Sequence, residues 1–190
     1  MIYNDIKNFS QNVWKNNLIM NTILKVNANF DIIFIQEPSW STICSIPSSW
    51  NCEGEFLVSI VNHSNWLTFT RTSEFENDFL RVDIYINIRL SSFHLSLCKD
   101  VINHRDILLV SFFNNNDVFW LMNVYSDSPH SALKYLKDTE ASIWNLLIMT
   151  GNFNIWNSLW DPSFPHHSSI SDDLLIITDS FNLDLSISTN

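Results

Sequence analysis

Glycine is nearly absent from this chain: Gly54 and Gly151 are the only two in 190 residues. A Walker loop or a dinucleotide-binding fingerprint needs several glycines within a few positions, so both devices are excluded. Each remaining glycine is expected where the backbone is crowded or sharply turned. Cysteine is sparse too. Cys44, Cys52 and Cys98 form neither a CxxC pair for zinc nor an even set for disulfides. The start MIYNDIKNFSQ lacks a basic stretch leading into an apolar one, so no secretory signal is visible. No run of about 18 apolar residues exists to cross a bilayer. An intracellular, reducing compartment is the expectation.

Positive charge is also scarce. Lys and Arg number 10 against 20 Asp and Glu, a formal net charge of −10. Tight non-specific binding to nucleic acid draws its affinity from phosphate neutralisation by cationic side chains, so this balance argues against it. A nuclease whose bound metal brings its own positive charge is not excluded. Charged residues make up 16% of the chain, below the roughly 25% usual in soluble domains, and Asn and Ser supply the missing polarity. The apolar fraction of 46% and the length suffice for one domain with a sizeable core.

The chain shows no repeat, low-complexity tract or linker. WKNNLIMNTILKVNANF places Ile19, Met20, Ile23 and Leu24 at helical spacing, with Asn16 or Asn17 able to cap the start. DIIFIQEP reads as a fully buried strand ending at Pro38. Strand candidates follow in EFLVSIV, NWLTFTRT, LRVDIYINIRL, ILLVSFF and VFWLMNVY. In LRVDIYINIRL, Val82, Ile84, Ile86 and Ile88 alternate with Arg81, Asp83, Tyr85 and Asn87, which predicts a strand with one solvated or polar face. FNNND has the character of a hairpin turn. A helix is expected after Ser128 as cap and Pro129 as first residue, burying Leu133, Leu136, Ile143 and Trp144. Leu146–Met149 is a strand, and a last helix opens at Ser171, where Asp172 and Asp173 suit the positive end. This order suggests two packed sheets flanked by helices.

Three strand exits carry chemically useful residues: Gln36-Glu37, Tyr125-Ser126-Asp127, and Asn152-Phe153-Asn154 beyond Gly151. A strand apolar on both faces has no packing need for a glutamate at its mouth. A carboxylate there suits Mg²⁺, which takes hard oxygen ligands and needs only one or two from protein. Such a mouth usually carries a second carboxylate, and here both positions beyond Gly151 are amides.

The segments QNVWKNN, DIIFIQEPSW, NVYSD and GNFNIWNSLWDP, in this order and spacing, resemble the endonuclease/exonuclease/phosphatase superfamily, in its retrotransposon (LINE-type) branch found in fungal genomes. DDLLIITDSFNLDLS is similar to the family's helix and strand beyond the GDFN-type loop, so the resemblance covers nearly all of residues 1–190 as a single domain. It implies an α/β (α+β) fold, a four-layer αββα sandwich of two mixed sheets flanked by helices. It implies Mg²⁺-dependent phosphodiester hydrolysis, with Mn²⁺ able to substitute, DNA as the partner of an active domain, and a nuclear address within the cell. Carried over by residue, Asn12 and Glu37 match metal-binding positions. Tyr125 matches the tyrosine that contacts the scissile phosphate, and Asn154 the asparagine that holds phosphate and transition-state oxygens. Asn152 occupies the place of the aspartate that orients or deprotonates the attacking water.

Two departures accompany the resemblance. An amide at position 152 neither accepts a proton near neutral pH nor contributes negative charge to a metal, and losing a general base costs about 10²–10⁴ in rate. The family's last strands and its Asp–His pair have no counterpart before Asn190, so the sheet is expected to be C-terminally incomplete. A weak or inactive hydrolase is therefore expected; the alternative is a binding remnant without catalysis, for nucleic acid or protein. A phosphatase acting on a small substrate is a third reading.

Other residues have plainer explanations. His166-His167 lack a third ligand, and His63, His94, His104 and His130 read as surface or structural. Asp127 suits either the site or a helix cap. Trp40, Trp120, Trp156 and Trp160 could stack on bases, although burial is the commoner fate of tryptophan. Arg71, Arg81, Arg89 and Arg105 lie among acids and do not form a patch.

Overall fold

The computed structural model describes residues 6–27, 29–39, 63–70, 81–114, 117–139, 145–163 and 168–185, with the backbone of 49–50 and 56–57. Gly54, Cys44, Cys52, Trp40, Arg71, Ile143, Trp144, His166 and His167 lie outside the described residues, as does most of EFLVSIV.

In chain order the elements are β1 (Asn8–Asn12), α1 (Asn17–Val26), β2 (Ile32–Gln36), β3 (Ser49–Trp50), β4 (Phe56–Leu57), β5 (Trp66–Phe69) and β6 (Val82–Asn87). They continue with β7 (His94–Leu97), β8 (Ile107–Asn114), β9 (Asp117–Tyr125), α2 (Ser131–Asp138), β10 (Leu146–Asn152) and α3 (Ser169–Ser180). The first four-stranded sheet has the order β1-β2-β6-β5 and the second β10-β9-β8-β7, while β3 and β4 form a small ladder. Both larger sheets are mixed: β1–β2 and β10–β9 pair in parallel, the other neighbours antiparallel.

Period-two alternation builds the layers. In β2, Ile32 and Phe34 face the second sheet and join Val82, Ile84 and Ile86 against Leu108, Val110, Phe112 and Leu121. Ile33 and Ile35 point the other way, onto Met20, Ile23 and Leu24 of α1. On the far side of the second sheet, Leu109, Met122 and Val124 meet Leu133 and Leu136 of α2 and Leu174 and Ile177 of α3. Three apolar clusters thus separate four layers, helix, sheet, sheet and helices, as expected. Helix α1 starts where Asn16 Oδ1 accepts the Ile19 N–H at 3.1 Å. Trp66 Nε1–H of β5 donates to the Leu24 carbonyl at 2.9 Å, fixing the helix across its sheet.

Gly151 sits opposite Val124 on the neighbouring strand. A Cβ at this position would stand 2.0 Å from the Val124 carbonyl oxygen, so only glycine lets the strands approach.

Several local expectations shift. The polar face of β6 is not solvated: every residue of the strand is buried, Asp83 and Tyr85 completely, and Tyr85 packs under α1 beside the Trp66 side chain. Ile88 does not continue the alternation; the chain turns there into a 3-10 segment, Ile88–Leu90, and Ile88 is exposed. Helix α2 begins after His130 rather than Ser128, since Ser128 and Pro129 form a turn and the Asp127 side chain reaches Ser131. Helix α3 begins after Ser168; Ser171 lies in its first turn, its Oγ donating to the Ser168 carbonyl and accepting from Asn157. The strand at 146 runs on through Gly151 to Asn152. At the expected FNNND hairpin, Asn114 pairs with Asp117 across antiparallel β8 and β9, while Asn115 and Asn116 lie outside the described residues. Strands β1 and β7 were not signalled by alternation of apolar residues, and β7 in particular is half exposed.

Candidate functional site

Strand register brings the marked residues to one end of the sandwich. The parallel strands β1 and β2 finish side by side, Asn12 opposite Gln36. The parallel strands β9 and β10 do the same, Tyr125 opposite Asn152. Strands β6 and β8 run the other way, so their beginnings share that end: Val82 faces Gln36 and Ile107 faces Val124. Arg81 and Asp106, one residue earlier, therefore stand at the mouth. The Glu37 N–H donates to the Arg81 carbonyl, and the Tyr125 N–H to the Asp106 carbonyl, both at 2.8 Å.

Side chains then join the two mouths into one. Arg81 leaves the first sheet and grips Asp106 of the second through one edge of its guanidinium, Nε to Oδ1 and Nη2 to Oδ2, each 2.8 Å. Its Nη2 also donates to Asp127 Oδ2 at 3.1 Å. Just beneath, Gln36 Nε2 donates to Asn123 Oδ1 at 2.6 Å, and Asn123 Nδ2 returns to the Ile35 and Asp83 carbonyls at 2.9 and 2.8 Å. Both amides are buried, so this satisfied polar bridge fixes how the sheets align below the mouth.

The residues expected from the sequence form two pairs with Tyr125 between them. Asn12 Nδ2 donates to Glu37 Oε2 at 2.8 Å, and its Oδ1 accepts the Trp14 N–H at 2.8 Å. Asn154 donates its backbone N–H to Asn152 Oδ1 at 3.3 Å and its Nδ2 to the Ser126 carbonyl at 2.6 Å. The Ser126 N–H donates to the Asn152 carbonyl at 2.8 Å, which ties the two strand exits together. Tyr125 is the register partner of Asn152, and its phenol feels Glu37. Burial first, and then the Glu37 charge, push that phenol above its ordinary pKa, with Arg81 pulling the other way. Near neutral pH it is a hydrogen-bond donor.

Backbone strain gathers here as well. Trp14, Lys15, Glu37, His130 and Asn154 all adopt left-handed φ values, 47, 59, 47, 53 and 50°. Non-glycine residues occupy this region at a cost, and such residues concentrate where side-chain placement matters.

The electrostatic frame was not legible beforehand. Arg81 lies over the Tyr125 ring, 4.6 Å from its centroid. Arg105 adds contacts to Asp106 Oδ2 at 3.3 Å and Asp127 Oδ2 at 3.5 Å, so two guanidiniums serve two carboxylates. Desolvation works against ionisation of Asp127, but Arg81 and the Ser131 N–H outweigh it and lower its pKa. Asp127 thereby pairs with Arg81 at the mouth and accepts the Ser131 N–H at the start of α2, while His130 stands in the cap position. Arg81 and Asp106 were findable only by counting residues to the start of an antiparallel neighbour, which needs the pairing.

The remaining residues sort by contact. Arg89 pairs with Asp31 at 2.7 Å, away from the mouth. His130 Nδ1 lies 2.8 Å from Ser126 Oγ, and His104 accepts the Asp106 N–H. Trp66 is buried, and Trp120 and Trp160 pack on the second-sheet core. Trp156, two residues beyond Asn154, is 56% exposed.

Among the described residues no three His, Cys, Asp or Glu gather as a metal cluster. Glu37 and Asn12, hydrogen-bonded to each other at the mouth, meet the minimum for Mg²⁺, which keeps several waters and takes one or two carboxylates. The donor set fits a weak, water-rich site.

No protein-family model matches the chain, and no curated protein matches it. Among solved structures, the endonuclease domain of TRAS1, a telomere-specific non-LTR retrotransposon, aligns with a TM-score of 0.69 at 14% identity. The alignment covers 96% of this chain and 75% of that one, so the fold is of the retrotransposon-endonuclease type. A β-hairpin deletion mutant of beta toxin from Staphylococcus aureus aligns over 94% of this chain and 73% of its own at 11% identity; its TM-score of 0.38 is too low to bear on the fold. Among the described residues no helix is long and apolar enough to cross a membrane.

Proposed function

We propose that the chain is a phosphodiester-hydrolase domain of the endonuclease/exonuclease/phosphatase class, retrotransposon branch, with a weakened catalytic step. The observation that carries the reading is the meeting of Asn12, Glu37, Tyr125, Asn152 and Asn154 at one end of a sandwich with this fold. Glu37 and Asn12 would hold Mg²⁺, with Mn²⁺ as a substitute; when bound, the ion neutralises charge on phosphoryl oxygens. Tyr125 donates its phenolic proton toward a phosphate oxygen, its ring braced by Arg81. Asn154 turns its backbone and side chain inward across the β9 and β10 exits, where an amide N–H can meet a developing oxyanion.

Asn152 limits the rate. It preserves the loop by accepting the Asn154 N–H, yet it cannot take a proton from water. DNA is the substrate this reading favours, in an intracellular, nuclear setting. The binding-only alternative rests on the same amide: a mouth that orders phosphate without a base would bind and not turn over.

Plasmid nicking in Mg²⁺ tests the proposal. Asn152→Asp is expected to raise the rate about 10²–10⁴-fold, and Glu37→Ala to abolish it. Equal nicking by Asn152→Asp and the unaltered chain would refute the impairment. Nicking indifferent to Glu37→Ala would refute the site. Salt-dependent DNA binding with no nicking by either protein would establish the binding-only reading instead.

A further inference from the structure

On the side of the first sheet away from the inter-sheet core, four side chains share one face of two neighbouring strands. Tyr85 of β6 lies opposite Thr68 of β5. Asp83 and Thr70, each two residues along, take the adjacent places on that face. Asp83 and Tyr85 are 0% exposed. Both Asp83 carboxylate oxygens, the Tyr85 hydroxyl and the hydroxyls of Thr68 and Thr70 are buried without a hydrogen-bond partner. Native interiors rarely leave one such atom unpaired.

We propose that this oxygen cluster is a binding site for a monovalent cation, Na⁺ or K⁺. Every donor is a hard oxygen, the type that alkali and alkaline-earth ions accept. The site has a single carboxylate and, among the described residues, Asp83 has no ion pair, so one positive charge restores neutrality in a dry interior. A divalent ion would leave a buried excess charge. A proton on Asp83 is the rival occupant, but it supplies only one donor. Thr70 and Tyr85 both lie within electrostatic reach of Asp83, so the oxygens form one group on this face. Burial, slightly opposed by Thr70, pushes the Asp83 carboxyl up to about 7, so above neutrality a cation meets a charged ligand. Tyr85, the other titratable group on this face, is held well above its ordinary range by burial and by Asp83, and stays a neutral donor.

The whole chain, exchanged into choline chloride at pH 8, is melted after isosmotic replacement of choline by NaCl, KCl or LiCl. The expected result is a saturable, ion-selective rise in Tm of about 5 °C, lost in Asp83→Asn. Thr70→Val, close to isosteric, should raise the half-saturating concentration about tenfold. Crystals soaked in thallium(I) should show an anomalous peak among Thr68, Thr70, Asp83 and Tyr85. Equal Tm in all salts would overturn the proposal, as would an ion-selective rise that persists in Asp83→Asn. If Asp83→Asn does not fold, an unchanged half-saturation in both Thr68→Val and Thr70→Val would overturn it equally.

Discussion

The Gly151→Ala substitution puts the geometry of the mouth to a quantitative test. A methyl at this position would lie 2.0 Å from the Val124 carbonyl oxygen, 2.8 Å from its carbon and 3.1 Å from its Cα. Non-bonded heavy atoms rest at about 3.5–4.0 Å, so β10 must retreat from β9 by more than about 1 Å. The obstacle is backbone inside a paired sheet, with no flexible end to swing aside. Overpacking of this kind costs about 1–3 kcal/mol, and two strained ladder bonds add about 1–3 kcal/mol more. A total loss of about 2–6 kcal/mol follows, large against the 5–15 kcal/mol typical of a domain. Urea unfolding followed by tryptophan fluorescence measures it as a fall in the midpoint at unchanged slope. The same retreat separates Asn152 from Tyr125 and loosens the Ser126–Asn152 bond, so the phosphate binding proposed for the mouth should fail in any fraction that still folds. A loss below about 1 kcal/mol, or unaltered binding in the folded variant, would refute the close-approach reasoning.

Other perturbations probe separate parts of the structure. Arg81→Gln leaves the fully buried Asp106 with only the longer contact to half-exposed Arg105; breaking a buried pair costs about 3–5 kcal/mol, and the surviving guanidinium should reduce the loss to about 2 kcal/mol, readable by urea unfolding. In that variant Asp127 loses the partner that lowers its pKa, so its carbon-detected NMR titration should move upward; an unmoved titration would refute the pairing. Asp83 has a folded pKa of about 7 against 3.8 in model compounds. Its contribution to stability is therefore full below about pH 4 and is lost as pH rises through about 7. In choline buffer Asp83→Asn should flatten this decline, worth on the order of 4 kcal/mol at the limit, and an unchanged slope between pH 5 and 8 would contradict the burial of an unpaired carboxyl.

Much of the fold was legible because its strongest signals are local. The all-apolar Ile32–Ile35 run declared a strand covered on both sides, and the i, i+3, i+4 spacing of Met20, Ile23 and Leu24 declared a helix covering it. The exits of β2, β9 and β10 pointed to Glu37, Tyr125, Asn152 and Asn154, which the strand register then places at one end of the sandwich. What stayed hidden depends on pairing between distant segments. Alternation in β6 could distinguish apolar from polar faces, but not solvated from buried ones, since α1 and the Trp66 side chain arrive from elsewhere in the chain. Arg81 looked like one arginine among acids; its meaning comes from Asp106 and Asp127, 25 and 46 residues away. The start of α2 shifted for a similar reason: Ser128 and Pro129 turn, and the Asp127 side chain reaches Ser131 while also answering to Arg81.

Position 152 separates what the fold requires from what hydrolysis requires. The structural duty of this side chain is to present one oxygen to the Asn154 N–H at 3.3 Å, and its backbone carbonyl accepts from Ser126. Aspartate and asparagine do both equally well, being close to isosteric and each carrying an acceptor oxygen at the same place. Packing therefore gives no reason to prefer the amide. Charge does distinguish them: Arg81 and Arg105 already balance Asp106 and Asp127, so among the described residues Glu37 is left as the uncompensated carboxylate at the mouth. An aspartate at 152 would add a second, and two nearby carboxylates raise one another's pKa unless a cation lies between them. With asparagine the mouth can stay folded without metal; with aspartate its stability should become metal-dependent. Comparing the Tm of Asn152→Asp with that of the unaltered chain, each with EDTA and with Mg²⁺, isolates that effect from turnover. A metal-induced stabilisation larger in Asn152→Asp is the expected outcome, and equal responses would mean that residues 37 and 152 do not share a cation.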